Sequence, residues 1–195
     1  RSLFWCAKDT SGDVKGYGAE EEFVEAYTFV PYQFRLLQDV LVQVRKSGSS
    51  GKHLSGGERS MLSAFQEAAQ SMQDCDERAF VPFYRFYDTV HTFLDGAVRR
   101  VIDRAERGAA AGDGLKRGDV DILKLLFLIR YVDGMASNLE NICTLMISDV
   151  HDDKITMRRD IQQALDRLVH ENYVSRNGEI YLFLTDEEQE INNEI

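Results

Sequence analysis

The second half of the chain constrains the fold most, because three helix patterns there are followed by a hairpin pattern. Asp119 is placed to cap a helix that is apolar nearly all round, as expected of a helix buried centrally. Further helices are predicted to begin near Asn138 and near Thr156 from their apolar spacing. Two strand patterns then flank Asn177-Gly178, which favours a type I′ turn. Three helices and a two-stranded wing predict a winged helix-turn-helix.

A glycine-rich and alanine-rich segment, GAAAGDGLKRG, separates this unit from the first half of the chain. Its composition is typical of a linker, and Leu115 is its only large apolar residue. The sequence therefore predicts a mainly α-helical protein with a helical domain at residues 1–108, a linker at 109–118 and a winged-helix domain at 119–195. The first domain is expected to begin with a short strand over residues 3–7.

Two further helices are predicted from local patterns. Apolar residues hold a helical period over residues 82–107, which predicts one long packing helix whose many aromatic residues belong to the core. Thr185 and Glu188 have the spacing of a capping box, so an acidic helix is expected from there to Ile195.

The segment GKHLSGGERSML contains the best marked helix start of the first half. Ser55 and Glu58 have the capping-box spacing, and Met61, Leu62 and Phe65 begin an apolar stripe that leaves Arg59 on the opposite face. A cation in the first turn opposes the helix dipole, so Arg59 is either a surface residue paired with Glu58 or a contact for an anion. The segment also resembles the signature motif of ABC ATPases, but the sequence has no G-x-x-x-x-G-K-[ST] phosphate loop.

The net charge of −10 argues against general binding to phosphate backbones. Seven Lys or Arg stand against sixteen Asp or Glu in residues 119–195, so the predicted winged helix carries most of the acidity. Three distant cysteines without a C-x-x-C pair favour neither a disulfide framework nor a zinc site, and they suit a reducing cytoplasm. His151-Asp152-Asp153 favours a helix cap over a metal site. No apolar run reaches the ~20 residues of a membrane span.

The third helix of a winged helix normally enters the major groove of DNA. Its exposed residues Arg158, Arg159 and Gln162, together with Arg176 of the wing, are therefore the candidate DNA contacts. Because the unit is acidic, a winged helix that faces protein or has a purely structural role is the favoured alternative.

Three blocks carry a resemblance to a known family: FVPYQFRLLQDVLVQVRKSGSSGKHLSGGERSMLSAFQEAA, DVDILKLLFLIRYV and RLVHENYVSRNGEIYLFLTDEEQEINNEI. They resemble the P-loop ATPases of the BREX phage-defence system, the BrxC/PglY family, from about Tyr27 to the end. The resemblance implies an AAA+-type ATPase in which a nucleotide-binding core precedes a helical lid and a winged helix. The chain begins at Arg1 without a methionine, so we expect a fragment that holds the lid and the winged helix and lacks the Walker motifs.

The resemblance also implies roles. Arg59 matches the sensor-2 arginine that a lid presents to the γ-phosphate, ATP and Mg²⁺ belong to the parent protein, and no cofactor is expected on this fragment. The leading expectation is a non-catalytic part of a cytoplasmic, oligomeric antiviral ATPase that couples nucleotide state to DNA or to assembly with other BREX proteins. An acidic protein-interaction module without DNA contact is the alternative, and a free-standing transcription regulator is a third reading.

Overall fold

The structure is a computed structural model that describes residue 4 and residues 16–46, 57–94 and 96–193. Of residues 57–60 and 97 it describes only the backbone. The predicted strand at residues 3–7 lies outside the described residues, except for Phe4, and so does Ser55 of the predicted capping box. None of the helices in the described ranges has the length and apolar character needed to cross a membrane.

The described part of the chain is mainly α-helical with one small antiparallel sheet. The helices are α1 (Glu20–Ala26), α2 (Pro31–Lys46), α3 (Gly57–Gln70), α4 (Tyr87–Val90), α5 (Gly96–Ala111), α6 (Arg117–Ile129), α7 (Leu139–Leu145), α8 (Lys154–His170) and α9 (Asp186–Asn193). Short 3-10 turns flank α4 at Phe83–Phe86 and His91–Phe93. The sheet consists of β1 (Val174–Asn177) and β2 (Ile180–Phe183).

Helix α6 lies at the centre of the fold, as its apolar sequence predicts. Nine of its 13 residues are buried, and Leu123, Leu125 and Leu128 are fully buried on different sides of the helix. It contacts α2, α4, α5, α7, α8 and β2. A helix can be apolar on every side only if other elements cover every side. Helix α6 therefore joins the two halves of the chain through one hydrophobic core.

The predicted single helix over residues 82–107 is wrong for its first half, whereas residues 96–107 are helical as part of α5. The chain forms a 3-10 turn, the single turn α4 and a second 3-10 turn, and Leu94 is then extended before α5 begins at Gly96. Phe83, Phe86 and Val90 are all fully buried, which confirms that these apolar residues belong to the core. The 3-10 turns and the single turn α4 bury apolar residues that recur every three or four positions. This spacing is the same as that of one continuous helix, which is why the sequence predicted one.

Helix α3 faces the core with most of the predicted stripe, but Leu62 and Ala69 are exposed and Ala64 is buried instead. Ala64 and Ala68 are buried at 1% and 5% exposure, whereas Leu62 is 69% exposed. Met61 and Phe65 pack partly against the core, as predicted. The inward face thus follows positions 61, 64, 65 and 68, and Leu62 lies beside it rather than on it.

The segment after α5 is only partly the predicted linker. Helix α5 continues to Ala111, so residues 109–111 are helical, and Gly112 and Gly114 then turn the chain with φ angles of 77° and 78°. Leu115 is 5% exposed and belongs to the common core. The division of the chain into two domains at this point stays a prediction.

The hairpin has the predicted strands with the turn shifted by one residue. Asn177 pairs with Ile180 inside the sheet, so the two loop residues are Gly178 and Glu179. Gly178 has a φ of 60°, and Glu179 is not among the residues with positive φ, which fits a type II′ turn rather than type I′. This register buries Tyr181 and Phe183 on one face of β2, and a shift of one residue would expose both.

Helix α9 begins at the predicted capping box. Glu188 accepts the Thr185 backbone N–H at 2.9 Å, and the Thr185 hydroxyl accepts the Glu188 N–H at 3.3 Å. The two terminal guanidinium nitrogens of Arg130, Nη1 and Nη2, donate to the Glu188 carboxylate at 2.9 Å, which lowers the pKa of Glu188. Arg104 of α5 pairs with Asp186 at 2.9 Å. The acidic C-terminal helix is therefore held to both α5 and the end of α6.

We predict that Leu115→Ala lowers the free energy of unfolding by about 2–3 kcal/mol, because it removes a buried side chain from a packed core. Urea denaturation followed by circular dichroism measures the loss. The matched control is Leu62→Ala, which should change the free energy of unfolding by less than about 0.5 kcal/mol because Leu62 is exposed. Equally small losses for both variants would mean that residues 109–118 behave as a solvated linker.

Candidate interaction surface on α8 and the hairpin

Helix α8 is fixed at its start by an N-terminal cap. The Asp153 carboxylate accepts the backbone N–H groups of Ile155 at 3.2 Å and Thr156 at 3.1 Å. The hydrogen bond from the Thr156 hydroxyl, followed by these backbone bonds, lowers the pKa of Asp153. The Asp152 carboxylate accepts the N–H groups of Ser148 and Asp149. These bonds confirm the capping role predicted for His151-Asp152-Asp153. No group of three potential metal ligands occurs in the described ranges.

A buried ion pair fixes α8 against α6. Arg167 donates from Nε to Asp119 Oδ2 and from Nη2 to Asp119 Oδ1, both at 2.7 Å. Asp119 is 1% exposed, and its Oδ2 also accepts the Lys116 backbone N–H at 2.8 Å. A two-pronged contact of this kind sets the orientation of both side chains. Sequence reasoning assigned Asp119 only as a helix cap and missed Arg167, since their 48-residue separation carries no local signal.

The opposite side of α8 carries the predicted DNA contacts. Ile161, Ala164, Leu165 and Leu168 are buried, while residues 155, 158, 159 and 166 are exposed and Gln162 is half-buried. We call the set Ile155, Arg158, Arg159, Gln162 and Asp166 the α8 face. Positions 155, 159, 162 and 166 follow one another at three-and-four spacing, so they form one line along the helix.

The structure brings two of the four predicted contacts together at Tyr181. Gln162 Nε2 donates to the Tyr181 hydroxyl at 3.0 Å, and the Arg176 guanidinium lies 5.5 Å from the centre of the Tyr181 ring. Arg176 is paired in register with Tyr181 across the hairpin. Helix α8 and the hairpin therefore form one continuous surface at this point.

Most polar groups of this surface already have partners within the chain. Gln162 Nε2 also donates to Asp166 Oδ1 at 2.8 Å, and Arg176 Nε donates to the Gly178 carbonyl at 2.9 Å. Arg159 Nε lies 3.2 Å from Asp160 Oδ1. Arg158 is exposed and has no ion pair with any residue of the described ranges. Three of the four side chains predicted to contact DNA therefore already contact neighbouring residues of the chain.

Sequence reasoning missed two exposed apolar side chains, one on α8 and one on the hairpin. Ile155 is 82% exposed in the first turn of α8, and Leu182 of β2 is 46% exposed. The sequence signal for Ile155 was its position, because it lies opposite the inward stripe of the helix. Contiguous apolar patches mark protein contact surfaces and single exposed apolar side chains are common, so Ile155 matters here only together with the polar groups around it.

The predicted nucleotide-sensing residue cannot be placed with respect to this surface. Arg59 lies in the first turn of α3, where only the backbone is described. Its role as a sensor-2 arginine stays a prediction. No protein-family model matches the chain, and no solved structure matches it significantly.

We predict that Arg167→Met lowers the free energy of unfolding by about 2–3 kcal/mol, because it leaves the Asp119 carboxylate buried without its counter-charge. The Asp119→Asn/Arg167→Met double variant should recover part of the loss, since it removes the buried charge as well. Urea denaturation of the four proteins gives the coupling between the two residues.

The matched control is Arg159→Met, which breaks an exposed ion pair on the same helix. We expect it to change stability by less than about 0.5 kcal/mol. If the two single arginine variants lose the same stability, the buried pair does not hold α8 in place.

Proposed function

We propose that the chain is a non-catalytic regulatory portion of a P-loop ATPase of a BREX-type defence system, and that its winged-helix unit docks a protein partner. The parent ATPase would use ATP and Mg²⁺ outside this chain. Support for the parent comes from the family resemblance in residues 29–69, 119–132 and 167–195. Support for docking comes from the α8 face.

The order of elements supports a winged helix over α6 to β2. Helices α6, α7 and α8 are followed directly by the hairpin, whose residues Val174, Tyr181 and Phe183 are buried in the common core. The segment before α7 also joins the sheet, because the Tyr181 N–H donates to the Ser137 carbonyl at 3.0 Å and Asn138 forms a bridge with Ile180. In this proposal α8 is the exposed third helix and β1–β2 is the wing.

The commitment of polar side chains on the α8 face is the observation that favours a protein partner. A DNA contact would replace the exposed Gln162–Asp166 and Arg159–Asp160 contacts and would bring both carboxylates towards phosphates. A protein partner would leave these contacts in place and cover Ile155. A basic partner would be attracted by the acidity of the whole unit rather than by the α8 face, where Arg158 and Arg159 outnumber Asp166. The net charge of −9 over residues 119–195 acts in the same direction.

Direct DNA contact is the second candidate, and one observation favours it. Arg158 is exposed without an ion pair in the described ranges, and Gln162 and Arg176 meet at Tyr181. One helix and one wing thus present polar groups side by side, as a winged helix does when it lies in a groove.

We predict that Ile155→Asp in the intact protein weakens its complex with other proteins of its defence system at least tenfold, because it places a charge in an apolar contact. Co-purification and surface plasmon resonance measure this. The matched control is Ile191→Asp, an exposed isoleucine of α9 outside the α8 face, which should leave the complex intact.

An Arg158→Glu/Arg159→Glu variant separates the two candidates. If the partner is a basic protein, the variant should bind that partner as tightly as the unmutated protein or more tightly. The unmutated intact protein should then show little DNA affinity at moderate salt. If this variant instead removes DNA binding while Ile155→Asp keeps the protein complex, the DNA function replaces the docking function.

The proposed link to nucleotide state rests on Arg59. Arg59→Ala in the intact ATPase is expected to reduce turnover at least tenfold, because a sensor arginine stabilises charge on the γ-phosphate. Arg45→Ala, which changes the charge equally near the end of α2, is the control. Unchanged nucleotide affinity and turnover in Arg59→Ala would remove this assignment and leave the docking proposal standing.

A further inference from the structure

A large groove of the described structure lies away from the α8 face. It has a volume of about 1010 Å³ and is bounded by the 3-10 turn before α4, the last turns of α5 and the start of α6. Its walls include the Tyr84 ring, and the small residues Ala109 and Ala110 leave the space open. Pockets for small molecules usually occupy about 300–1,000 Å³, so the groove is large enough for one.

The cations in this groove differ in their pairing. Lys124 is neutralised, because its Nζ lies 2.8 Å from Glu106 Oε1 and 3.7 Å from Asp88 Oδ1. Arg85 lies over the Tyr84 ring at 5.5 Å, and Arg117 is the first residue of α6. Neither arginine has an ion pair within 4.0 Å anywhere in the described ranges.

Two guanidinium groups without ion pairs therefore line the same groove, in a chain that carries 33 acidic residues and 23 basic ones. Arg117 also faces the positive end of the α6 dipole, where a cation is disfavoured and an anion is stabilised. An anion between the two arginines would satisfy both.

The groove lining contains three carboxylates: Asp88 and Glu106 contact Lys124, and Asp121 opposes such a ligand. Asp121 is half-buried, and Lys124, Arg85 and Arg117 all act on it electrostatically. Burial raises the pKa of Asp121, while these three cations lower it. The negative charge of Asp121 cancels part of the positive potential in the groove, so removing that charge should strengthen the binding of an anion.

We propose that this groove binds a small molecule carrying two or more carboxylate or phosphate groups, held between Arg85 and Arg117 with Tyr84 as an apolar wall. Paired arginines recognise either group through two-pronged hydrogen bonds. The site shares no residue with the α8 face or with Arg59, so it goes beyond the proposed function and stands or falls separately.

Isothermal titration calorimetry of the full chain at low ionic strength tests the site, with citrate and pyrophosphate as the two probes. Saturable binding of at least one probe is expected, and the tighter probe distinguishes a carboxylate ligand from a phosphate ligand. Arg85→Gln and Arg117→Gln should each weaken binding about tenfold, which corresponds to about 1.4 kcal/mol. Asp121→Asn should strengthen it several-fold.

The control is Arg107→Gln, which makes the same charge change at an exposed position of α5 outside the groove lining. It should bind as the parent chain does. The proposal is overturned if neither probe saturates the parent chain, or if Arg107→Gln weakens binding as much as the groove variants. Circular dichroism of each variant verifies that a loss of binding is not a loss of fold.

Discussion

The burial of α6 on all sides is the constraint on which the rest of the structure depends. Its side chains are buried among α2, α4, α5, α7, α8 and β2, so each of these elements covers part of one apolar cylinder. Because elements from both halves of the chain cover α6, the two halves share a single core. The same packing leaves the first turn of α6 to form one wall of the groove that contains Arg85 and Arg117.

Asp119 is the exception within this apolar helix, and it determines how α8 sits. A buried carboxylate is tolerated only with hydrogen bonds and a counter-charge, which the Lys116 N–H and Arg167 supply. Because Arg167 must reach inward to α6, the rotation of α8 about its own axis is restricted. The residues on its far side, from Ile155 to Asp166, are then presented outward beside the hairpin. A buried polar contact on one side of the helix thus defines the exposed surface on the other.

Features with local sequence signals were predictable, and those set by distant packing were not. The three later helices, the cap at Asp153 and the box at Thr185 and Glu188 follow from spacings of a few residues, and the structure has them. The region 82–107 failed because a 3-10 turn, a short helix and an extended break together reproduced a helical period. Of the candidate surface, Gln162 and Arg176 were predicted as residues, but their shared contact with Tyr181 depends on a hairpin register that differs from the predicted one. The Asp119–Arg167 pair and the groove depend on residues far apart in sequence, and no local spacing indicates that such residues meet.

The distribution of charge connects the proposed surfaces. Arg104, Arg130 and Arg167 each pair with a carboxylate, and these pairs hold α5, α6, α8 and α9 together. Part of the positive charge of the chain is therefore used in structural contacts. Arg158 on the α8 face and Arg85 and Arg117 in the groove have no such ion pair in the described ranges. Helix α8 carries four Lys or Arg and two Asp, but residues 119–195 as a whole have a net charge of −9, so their field for DNA is weak. Two arginines in one groove instead act on the same small volume. This difference in charge is why we propose a protein partner for the α8 face and an anion for the groove.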